Sequence, residues 1–433
     1  METELKRIAE IVSKKPEYKL QTITHIINVE NLKESHRKMN GNKAVGVDDT
    51  TKAKYNENLE ENLKQLIARM KRQEYKPQPS RRTYIPKDGS NKLRPLGIPA
   101  YEDKLVQDVI RQVLNTIYEP LFLNCSYGFR PKRNQHDAIK ELNTIIMAKT
   151  RYVVEVDIRG FFDNVDHEWM MKFLQERIED PNFLRLIKRF LKAGIMEEGK
   201  YFDTEKGAAQ GGSISPILSN IYLHYVLDLW FEKKIKKDSN GDAHMVRYAD
   251  DFVCTFQIKK EAEEFLRNLR ERLNKFGLEI AEEKTKILEF GRFAESNRKE
   301  RGEGKPEKFD FLGFTHICGK TYKGNFRVER ITSKKKLKVK RAVMRDWFKK
   351  EMHKPVDQII KALNSKLVGH YRYYGISGNS QQINKFRYEA IRRLFWTLNR
   401  RSQKHSYTWD DYKIKILARM PIKPTKIYVN MYL

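Results

Sequence analysis

The most constraining feature of this sequence is a pair of adjacent aspartates between two short apolar runs. Tyr248-Ala249-Asp250-Asp251 separates Met245-Val246-Arg247 from the run at 252–256, a pattern that predicts two β-strands joined by a tight hairpin turn. Adjacent carboxylates repel each other, so a fold that holds them together favours a bound cation. The hairpin is therefore a candidate divalent-metal site, and a solvated acidic turn is the alternative.

A second β-branched run, at residues 152–156, ends directly before Asp157. A carboxylate at a strand end can lie beside a hairpin turn of the same antiparallel sheet. Asp157, Asp250 and Asp251 would then hold two Mg²⁺ ions about 3.5–4 Å apart, the arrangement that serves in-line phosphoryl transfer.

The charge of the chain indicates the class of substrate. The chain has 86 Lys and Arg residues against 57 Asp and Glu. Residues 331–433 alone contain 25 Lys and Arg against 6 Asp and Glu. Such a field attracts polyanions, nucleic acid above all. No apolar run is long enough for a bilayer and no signal peptide follows Met1, so no membrane partner is expected.

The three cysteines predict neither disulfides nor zinc. Cys125, Cys254 and Cys318 are far apart and lack the Cys-x-x-Cys spacing of a zinc site. This usage suits a reducing cytoplasm, and Cys254 is predicted to be a packed core thiol rather than a nucleophile.

Periodicity along the chain predicts an α+β protein in three parts. Residues 1–75 form a helical extension, residues 76–330 carry the sheets, and residues 331–433 are helical and basic. Between them, helices are predicted at 103–119, 136–148, 167–191, 214–229 and 261–276, and a charged loop at 292–308. The last part contains aromatics on which bases or riboses could stack. Their helical spacing instead favours a bundle core for most of the set Tyr371, Tyr374, Phe395 and Trp396.

Two further segments are candidate phosphate contacts. Lys87 and Arg94 lie on the arms of a predicted hairpin, where they either meet a triphosphate or are simply solvated. The glycine-rich stretch 207–213 opens a helix, and its backbone N–H groups suit a phosphate; a plain tight turn is the alternative.

Taken in order, these segments closely resemble the reverse transcriptase/maturase proteins encoded by bacterial group II introns. The resemblance runs from about residue 30 to the end of the chain. Six blocks carry it, at residues 94–99, 126–131, 157–163, 210–216, 248–251 and 311–314, and residues 370–376 resemble the maturase-type thumb.

The resemblance implies a right-hand polymerase: fingers and palm with an antiparallel sheet, then an all-α basic thumb or maturase domain. Asp157, Asp250 and Asp251 match the palm triad that binds two Mg²⁺ ions, with the Ile158 backbone as a further ligand. Phe162 matches the aromatic that excludes a 2′-hydroxyl and so selects dNTPs.

Other family residues map onto the nucleotide and the nucleic acid. Gln210 matches the glutamine beside the nucleotide, Lys87 and Arg94 match cations on the triphosphate, and Lys284 is expected to approach the nucleotide. The expected nucleic-acid contacts are Arg130, Lys334, Lys335, Lys336, Lys338, Lys340, Arg341, Arg372, Arg392 and Arg393.

The implied function is RNA-directed DNA synthesis from a primer, together with binding of intron RNA to assist splicing and retrohoming. The implied partners are intron RNA, an RNA template and a DNA primer or target, for a monomer or a dimer. The chain lacks the Cys/His pairs of the family's zinc endonuclease domain, so it is not expected to nick DNA itself. A domesticated reverse transcriptase in phage defence or repair, and a splicing cofactor with a vestigial polymerase site, are the alternatives.

Overall fold

The computed structural model describes residues 1–15, 17–86, 93–207, 210–401 and 406–432. The chain forms two compact units. Unit 1 takes the described residues within 1–138 and 152–287, and unit 2 takes those within 139–151 and 288–433.

Helices dominate both units. In chain order the α-helices are α1 (Glu2–Lys14), α2 (Val29–Lys38), α3 (Lys52–Asn56), α4 (Leu59–Lys71), α5 (Tyr101–Tyr118), α6 (Gln135–Ala148), α7 (Phe161–Asn164), α8 (His167–Gln175), α9 (Pro181–Leu191), α10 (Ser215–Leu223), α11 (Lys236–Asp238), α12 (Lys259–Lys275), α13 (Ala294–Glu300), α14 (Lys334–Glu351), α15 (Val356–Tyr374), α16 (Ser380–Asn399) and α17 (Trp409–Asp411). Short 3₁₀ turns cover Thr24–Ile26 and Glu282–Lys284, and π-helical segments cover His224–Asp228, Phe231–Ile235 and Tyr412–Leu417.

Eleven strands of the described chain form three sheets. They are β1 (Ser80–Pro86), β2 (Leu93–Ile98), β3 (Tyr152–Val156), β4 (Ile195–Glu197), β5 (Lys200–Phe202), β6 (Ala243–Tyr248), β7 (Asp251–Phe256), β8 (Lys286–Glu289), β9 (Phe309–Phe311), β10 (Phe314–Lys320) and β11 (Phe326–Thr332). The sheet orders are β2-β1-β4-β5, β6-β7-β3-β8 and β11-β10-β9. The β1–β2, β3–β7, β4–β5, β6–β7, β9–β10 and β10–β11 pairs are antiparallel, and the β1–β4 pair is parallel. Sheets of this kind and a helical, basic C-terminal region confirm the predicted α+β class.

The core of unit 1 surrounds the β6-β7-β3-β8 sheet. Strands β3 and β7 are apolar on both faces, and Val153, Val154 and Val253 are buried, as expected of strands in the middle of a sheet. Cys254 is also buried and unpaired, which confirms its prediction as a core thiol. This packing fixes the ends of β3, β6 and β7, where the candidate site residues lie.

Unit 2 encloses its own helical core around α14, α15 and α16, with Leu363, Leu367 and Leu394 fully buried. Tyr371 and Tyr374 are buried there, as predicted, and Phe395 packs against this core. Trp396 is the exception among the four, because 41% of its surface is exposed. Helical spacing alone did not separate the aromatic that faces outward from those that face inward.

Three boundaries differ from the sequence predictions. Residues 167–191 form two helices, α8 and α9, because Asp180 caps the N-terminus of α9 and Pro181 occupies its first turn. The stretch 292–308 contains helix α13 rather than only a loop. The two units divide at 287/288 rather than at 330/331, so β9 to β11 belong to unit 2. None of the helices among the described residues has the length and apolar composition of a membrane span.

Asp180 also ties the N-terminal segment to α9. Its carboxylate accepts the backbone N–H groups of Ile23 and Thr24, both at 2.8 Å, and those of Asn182 and Phe183 at the helix start. Burial by itself raises the pKa of Asp180, but the hydrogen bonds from Ile23, Thr24 and Phe183 outweigh it and lower the pKa below its usual value.

Replacing Asp180 with asparagine is expected to lower the free energy of unfolding by about 1–3 kcal/mol, because an amide N–H₂ then faces backbone donors. A lowered carboxylate pKa contributes stability above the usual pKa of about 3.9, which is lost as the pH falls through the folded-state value. Urea unfolding at pH 7 and pH 3 should therefore show a smaller stability difference between wild type and Asp180→Asn at the lower pH. The exposed Asp410→Asn serves as the control, and a stability gap that is independent of pH would contradict this account.

Candidate active site

The acidic hairpin has the predicted form. Strands β6 and β7 pair as far as Tyr248 and Asp251, which leaves Ala249 and Asp250 as a two-residue turn. Ala249 has φ of 59°, a left-handed conformation that costs a non-glycine residue about 1–2 kcal/mol. Surrounding contacts must hold a turn of this kind in place.

Asp157 follows β3 and lies beside this turn. In the antiparallel pairing of β3 with β7, Val156 stands opposite Phe252, so the next step of the register places Asp157 opposite Asp251. The carbonyl of Asp157 accepts the N–H of Ala281 at 2.8 Å, which fixes the strand end from the other side.

The pKa of Asp250 reports the charges that surround it. Burial of the carboxyl raises this pKa, and the negative charge of Asp157 raises it further. A hydrogen bond to its own backbone N–H and the positive charges of Arg94 and Arg247 act in the opposite direction. Asp157 and Arg94, both predicted as site residues, are therefore close enough to act on Asp250 electrostatically.

Lys284 contacts Asp157. It ends the 3₁₀ turn at Glu282–Lys284, and its Nζ donates a hydrogen bond to Oδ2 of Asp157 in a partly exposed ion pair. Lys284 was expected to approach a nucleotide, and in this structure its ammonium group neutralises the first aspartate of the predicted triad.

The carboxylates fit a hard divalent cation by chemistry but do not form a closed ligand set. Within the part of the chain that the structure describes, no three His, Cys, Asp or Glu side chains come close enough together to hold a metal ion. Carboxylate oxygens are nevertheless the ligands that Mg²⁺ prefers, and a cation at Asp157 would replace the Lys284 ammonium. The backbone of Ile158, a predicted further ligand, forms an antiparallel bridge with Ile280.

A buried arginine holds the turn. Arg247 of β6 is completely buried and forms a two-pronged ion pair with the equally buried Asp228, at 2.7 and 2.5 Å. Its Nη1 donates to the carbonyl of Ala249 at 2.9 Å and to Asn220, and its Nη2 donates to the hydroxyl of Ser126 at 2.8 Å. The same guanidinium thus binds the core and the turn that carries Asp250.

Neither Arg247 nor Asp228 was a predicted site residue. The available signals were a cation inside an otherwise apolar strand and an anion inside the apolar segment 214–229. Buried charges are normally paired, so each residue called for a partner. Nothing in the sequence showed that the two residues pair with each other.

Residues 125–128 also contact the Ala249-Asp250 turn and the end of β6. The N–H of Arg247 bonds to the carbonyl of Cys125, and the N–H of Tyr127 bonds to the carbonyl of Arg247, both at 2.8 Å. A Cβ atom on Gly128 would lie 2.3 Å from the amide nitrogen of Ala249, so only glycine fits at this position. The block at 126–131 therefore shapes the hairpin.

Arg130 differs from its predicted role. Its side chain is buried, and its guanidinium donates to the carboxylate of Glu119 and to the carbonyls of Leu123 and Ser126. These internal acceptors use the donors that a phosphate would need, which argues against the predicted contact with nucleic acid.

The other predicted nucleotide residues lie on two segments that touch. The N–H of Gly97 in β2 donates to the carbonyl of Gln210 at 2.6 Å, and a Cβ on Gly211 would lie 2.5 Å from the Gly97 carbonyl. Arg94 lies on the same strand, three residues before Gly97. The Oε1 atom of Gln210 is buried and has no hydrogen-bond partner among the described residues. Lys87 lies outside the described residues.

Phe162 belongs to the short helix α7 and is partly buried. Its ring meets that of Phe161 edge to face, with 5.3 Å between the centroids. The ring of Phe161 is itself part of the unit 1 core, so the position of Phe162 is fixed by packing rather than by a loop.

The predicted cations of unit 2 are mostly at the surface. Lys336 and Arg393 are partly buried, whereas the exposed ones are Lys334, Lys335, Lys338, Lys340, Arg341, Arg372 and Arg392. Arg341 pairs with Glu389 at 2.5 Å. Helix α14 thus presents a largely cationic first half to solvent.

The chain is similar to known reverse transcriptases and intron-encoded proteins. The family model described as "Reverse transcriptase (RNA-dependent DNA polymerase)" matches residues 85–316. The chain is 31% identical over 402 residues to the group II intron-encoded protein LtrA of Lactococcus lactis subsp. cremoris, in an alignment that covers 76% of this chain and 66% of LtrA. Residues 157, 250 and 251 all fall within the matched region.

Two further relatives are similar over shorter stretches. Protein YkfC of Escherichia coli (strain K12) is 36% identical over 251 residues, covering 51% of this chain and 66% of YkfC. The putative COX1/OXI3 intron 1 protein of Saccharomyces cerevisiae is 30% identical over 261 residues, in an alignment that covers 49% of this chain and 31% of that protein. The chain thus spans just under two thirds of the length of the first two relatives.

Replacement of Arg247 by methionine should lower the free energy of unfolding by about 3–5 kcal/mol, because the buried Asp228 carboxylate loses its counter-charge. The double variant Arg247→Met/Asp228→Leu should recover much of this loss, since no uncompensated charge remains. A double-mutant cycle measured by urea unfolding tests both statements.

Arg270→Met provides the matched control, because it breaks the exposed Arg270–Glu282 pair, and exposed ion pairs add little to stability. If Arg247→Met costs as little as Arg270→Met, the buried pair does not stabilise the hairpin as argued.

Proposed function

The chain belongs to the reverse transcriptase family, and we propose on this basis that it is an RNA-directed DNA polymerase of the group II intron type. The observation that carries the proposal is the placement of Asp157 beside the Asp250-Asp251 turn, within the region that the family model matches. The substrates would be dNTPs and a primer paired to an RNA template.

The reaction that fits this site is attack of the primer 3′-hydroxyl on the α-phosphate of a dNTP, with pyrophosphate as the leaving group. Two Mg²⁺ ions bound by Asp157, Asp250, Asp251 and the Ile158 backbone would supply the charge that activates the hydroxyl and stabilises the leaving oxygen. Lys284, which pairs with Asp157, would supply a positive charge to the nucleotide at this site.

The remaining residues of the site would bind and orient the nucleotide. Arg94 offers a planar, two-pronged donor to the phosphates, and Lys87 would act beside it as a point charge. The buried Oε1 of Gln210 is a free acceptor among the described residues, suited to a donor group of the nucleotide. The packed ring of Phe162 would occupy the space that a 2′-hydroxyl needs.

We also propose a maturase role in which unit 2 binds intron RNA. Its exposed cations on α14, together with Arg372, Arg392 and Arg393, suit the phosphates of a structured RNA. A cation-rich helix of this kind gives affinity that falls with salt and carries little sequence information. The unpaired cysteines suit action in the reducing bacterial cytoplasm.

Asp250→Asn is expected to reduce primer extension on an RNA template to background, because the amide keeps the shape of the side chain but removes the charge that a cation needs. RNA affinity should change less than about twofold, since Asp250 belongs to unit 1 and the cations proposed to bind RNA belong to unit 2. Extension of a labelled primer with dNTPs and Mg²⁺, beside filter binding of the same RNA, measures both.

Asp238→Asn, at an exposed i,i+4 ion pair, is the control and should extend primers like the wild type. Extension by Asp250→Asn would refute the assignment of the site. If the wild type binds RNA tightly but never extends a primer, the splicing-cofactor alternative is correct instead.

Phe162→Val should weaken discrimination against ribonucleotides. Removing the ring opens room for a 2′-hydroxyl, and steric discrimination of this kind is typically worth about 10–200-fold. The ratio of dNTP to rNTP incorporation efficiency on the same primed template should fall by about that factor. An unchanged ratio would mean that Phe162 does not face the sugar.

A further inference from the structure

Helix α16 carries an alternation of aromatic and guanidinium groups on one face. Tyr388, Arg392 and Trp396 follow one another at four-residue intervals, so they lie above each other along the helix. Tyr388 and Trp396 are 55% and 41% exposed. The guanidinium of Arg392 lies between the two rings, 5.9 Å from the centroid of Tyr388 and 4.8 Å from that of Trp396.

The same tryptophan borders a cleft between α14 and α16. This cleft has a volume of about 110 Å³, and Arg345 and Lys349 line it from α14. Arg393, Trp396 and Arg400 line it from the side of α16. Arg393 also lies 5.7 Å from the Trp396 ring. We call these five residues the Arg–Trp cleft.

The charge of the Arg–Trp cleft is almost entirely positive. Among the described residues, the one ion pair formed by its four cations joins Arg345 to Asp346, at 3.4 Å. Lys349, Arg393 and Arg400 therefore converge without a carboxylate from the described chain. Clustered cations repel one another, so an anionic ligand would relieve the repulsion.

An exposed indole among cations matches one kind of ligand in particular. In a nucleic-acid duplex both faces of each base are already stacked, and only the phosphates and groove edges remain accessible. An unpaired nucleotide instead offers a free base for an aromatic ring and a phosphate for nearby cations. The aromatic component would add nothing to the binding of a duplex.

We propose that the Arg–Trp cleft binds an unpaired nucleotide of single-stranded RNA, with the base stacked on Trp396 and the adjoining phosphates between Arg345, Lys349, Arg393 and Arg400. The Tyr388–Arg392 steps of α16 would continue the stacking surface for the next base. This proposal rests on the RNA-binding part of the proposed function. It adds that unit 2 binds RNA in its single-stranded state.

The test compares Trp396→Ala and Trp396→Phe with the wild-type full chain. The probes are a labelled unstructured 12-nucleotide RNA, a blunt RNA duplex of the same length, and a single-stranded DNA of the same sequence. Trp396→Ala should weaken binding of the single-stranded RNA about 5–100-fold, the usual range for loss of one stacked base. Trp396→Phe should restore most of the affinity, and duplex affinity should change less than twofold in both variants.

Tyr322→Ala is the matched control, since Tyr322 is a fully exposed aromatic outside the Arg–Trp cleft, and it should bind all three probes like the wild type. Arg400→Gln should weaken both RNA probes and reduce the slope of log affinity against log salt by about one. A wild-type thermal midpoint for Trp396→Ala excludes misfolding as the cause of a loss.

Equal losses for single-stranded and duplex RNA on Trp396→Ala would overturn the proposal, as would no loss for either. Loss confined to single-stranded DNA would assign the cleft to a DNA strand and equally refute it. Primer extension by the wild type is measured in parallel: if it is absent while binding still depends on Trp396, the polymerase proposal fails and this one stands.

Discussion

The position of the candidate catalytic turn depends on one buried ion pair, Arg247–Asp228. A buried pair adds little net stability, because desolvation of the two charges roughly cancels their attraction. Its value here is geometric. A fully buried guanidinium must direct its N–H groups at acceptors, and one of those acceptors is the carbonyl of Ala249, the strained residue before Asp250. The requirement to satisfy a charge in the core thereby fixes the backbone at the site.

The same arrangement governs the electrostatics of the hairpin. Burial and the neighbouring Asp157 raise the pKa of Asp250, while Arg94 and Arg247 lower it. Asp228 neutralises Arg247, so the effect of Arg247 on the pKa of Asp250 is partly cancelled. Asp157 is neutralised by Lys284, whose side chain is exposed to solvent. The buried Arg247–Asp228 pair therefore holds the backbone of the turn. The exposed ammonium group of Lys284 lies at Asp157, where a cation would bind.

Much of the fold and of the site follows from local sequence patterns. Strand periodicity and the turn between residues 245 and 256 located the hairpin, and the run at 152–156 located its neighbour. The errors have physical causes that local patterns do not express. Apolar periodicity continues through Asp180-Pro181, although the cap and the proline end one helix and begin another. Arg130 was assigned from the family resemblance and Trp396 from helical spacing, but the roles of both depend on burial, and burial depends on contacts distant in sequence. The Arg247–Asp228 pair joins two elements for the same reason and escaped prediction.

Positive charges at the hairpin and on α14 have opposite environments, and this difference has a functional consequence. In unit 1, Arg247 and Arg130 are buried and their donors are used internally, so salt in the solvent barely screens them. In unit 2, the cations of α14 and of the Arg–Trp cleft face solvent, where screening is strong. If unit 2 binds nucleic acid as proposed, raising the ionic strength should release it long before the geometry of the hairpin is disturbed. An extension reaction inhibited by salt would then be limited by template retention, and a covalently tethered template should remove the inhibition. If tethering did not rescue extension, the salt-sensitive step would have to lie in the hairpin itself, contrary to its buried ion pair.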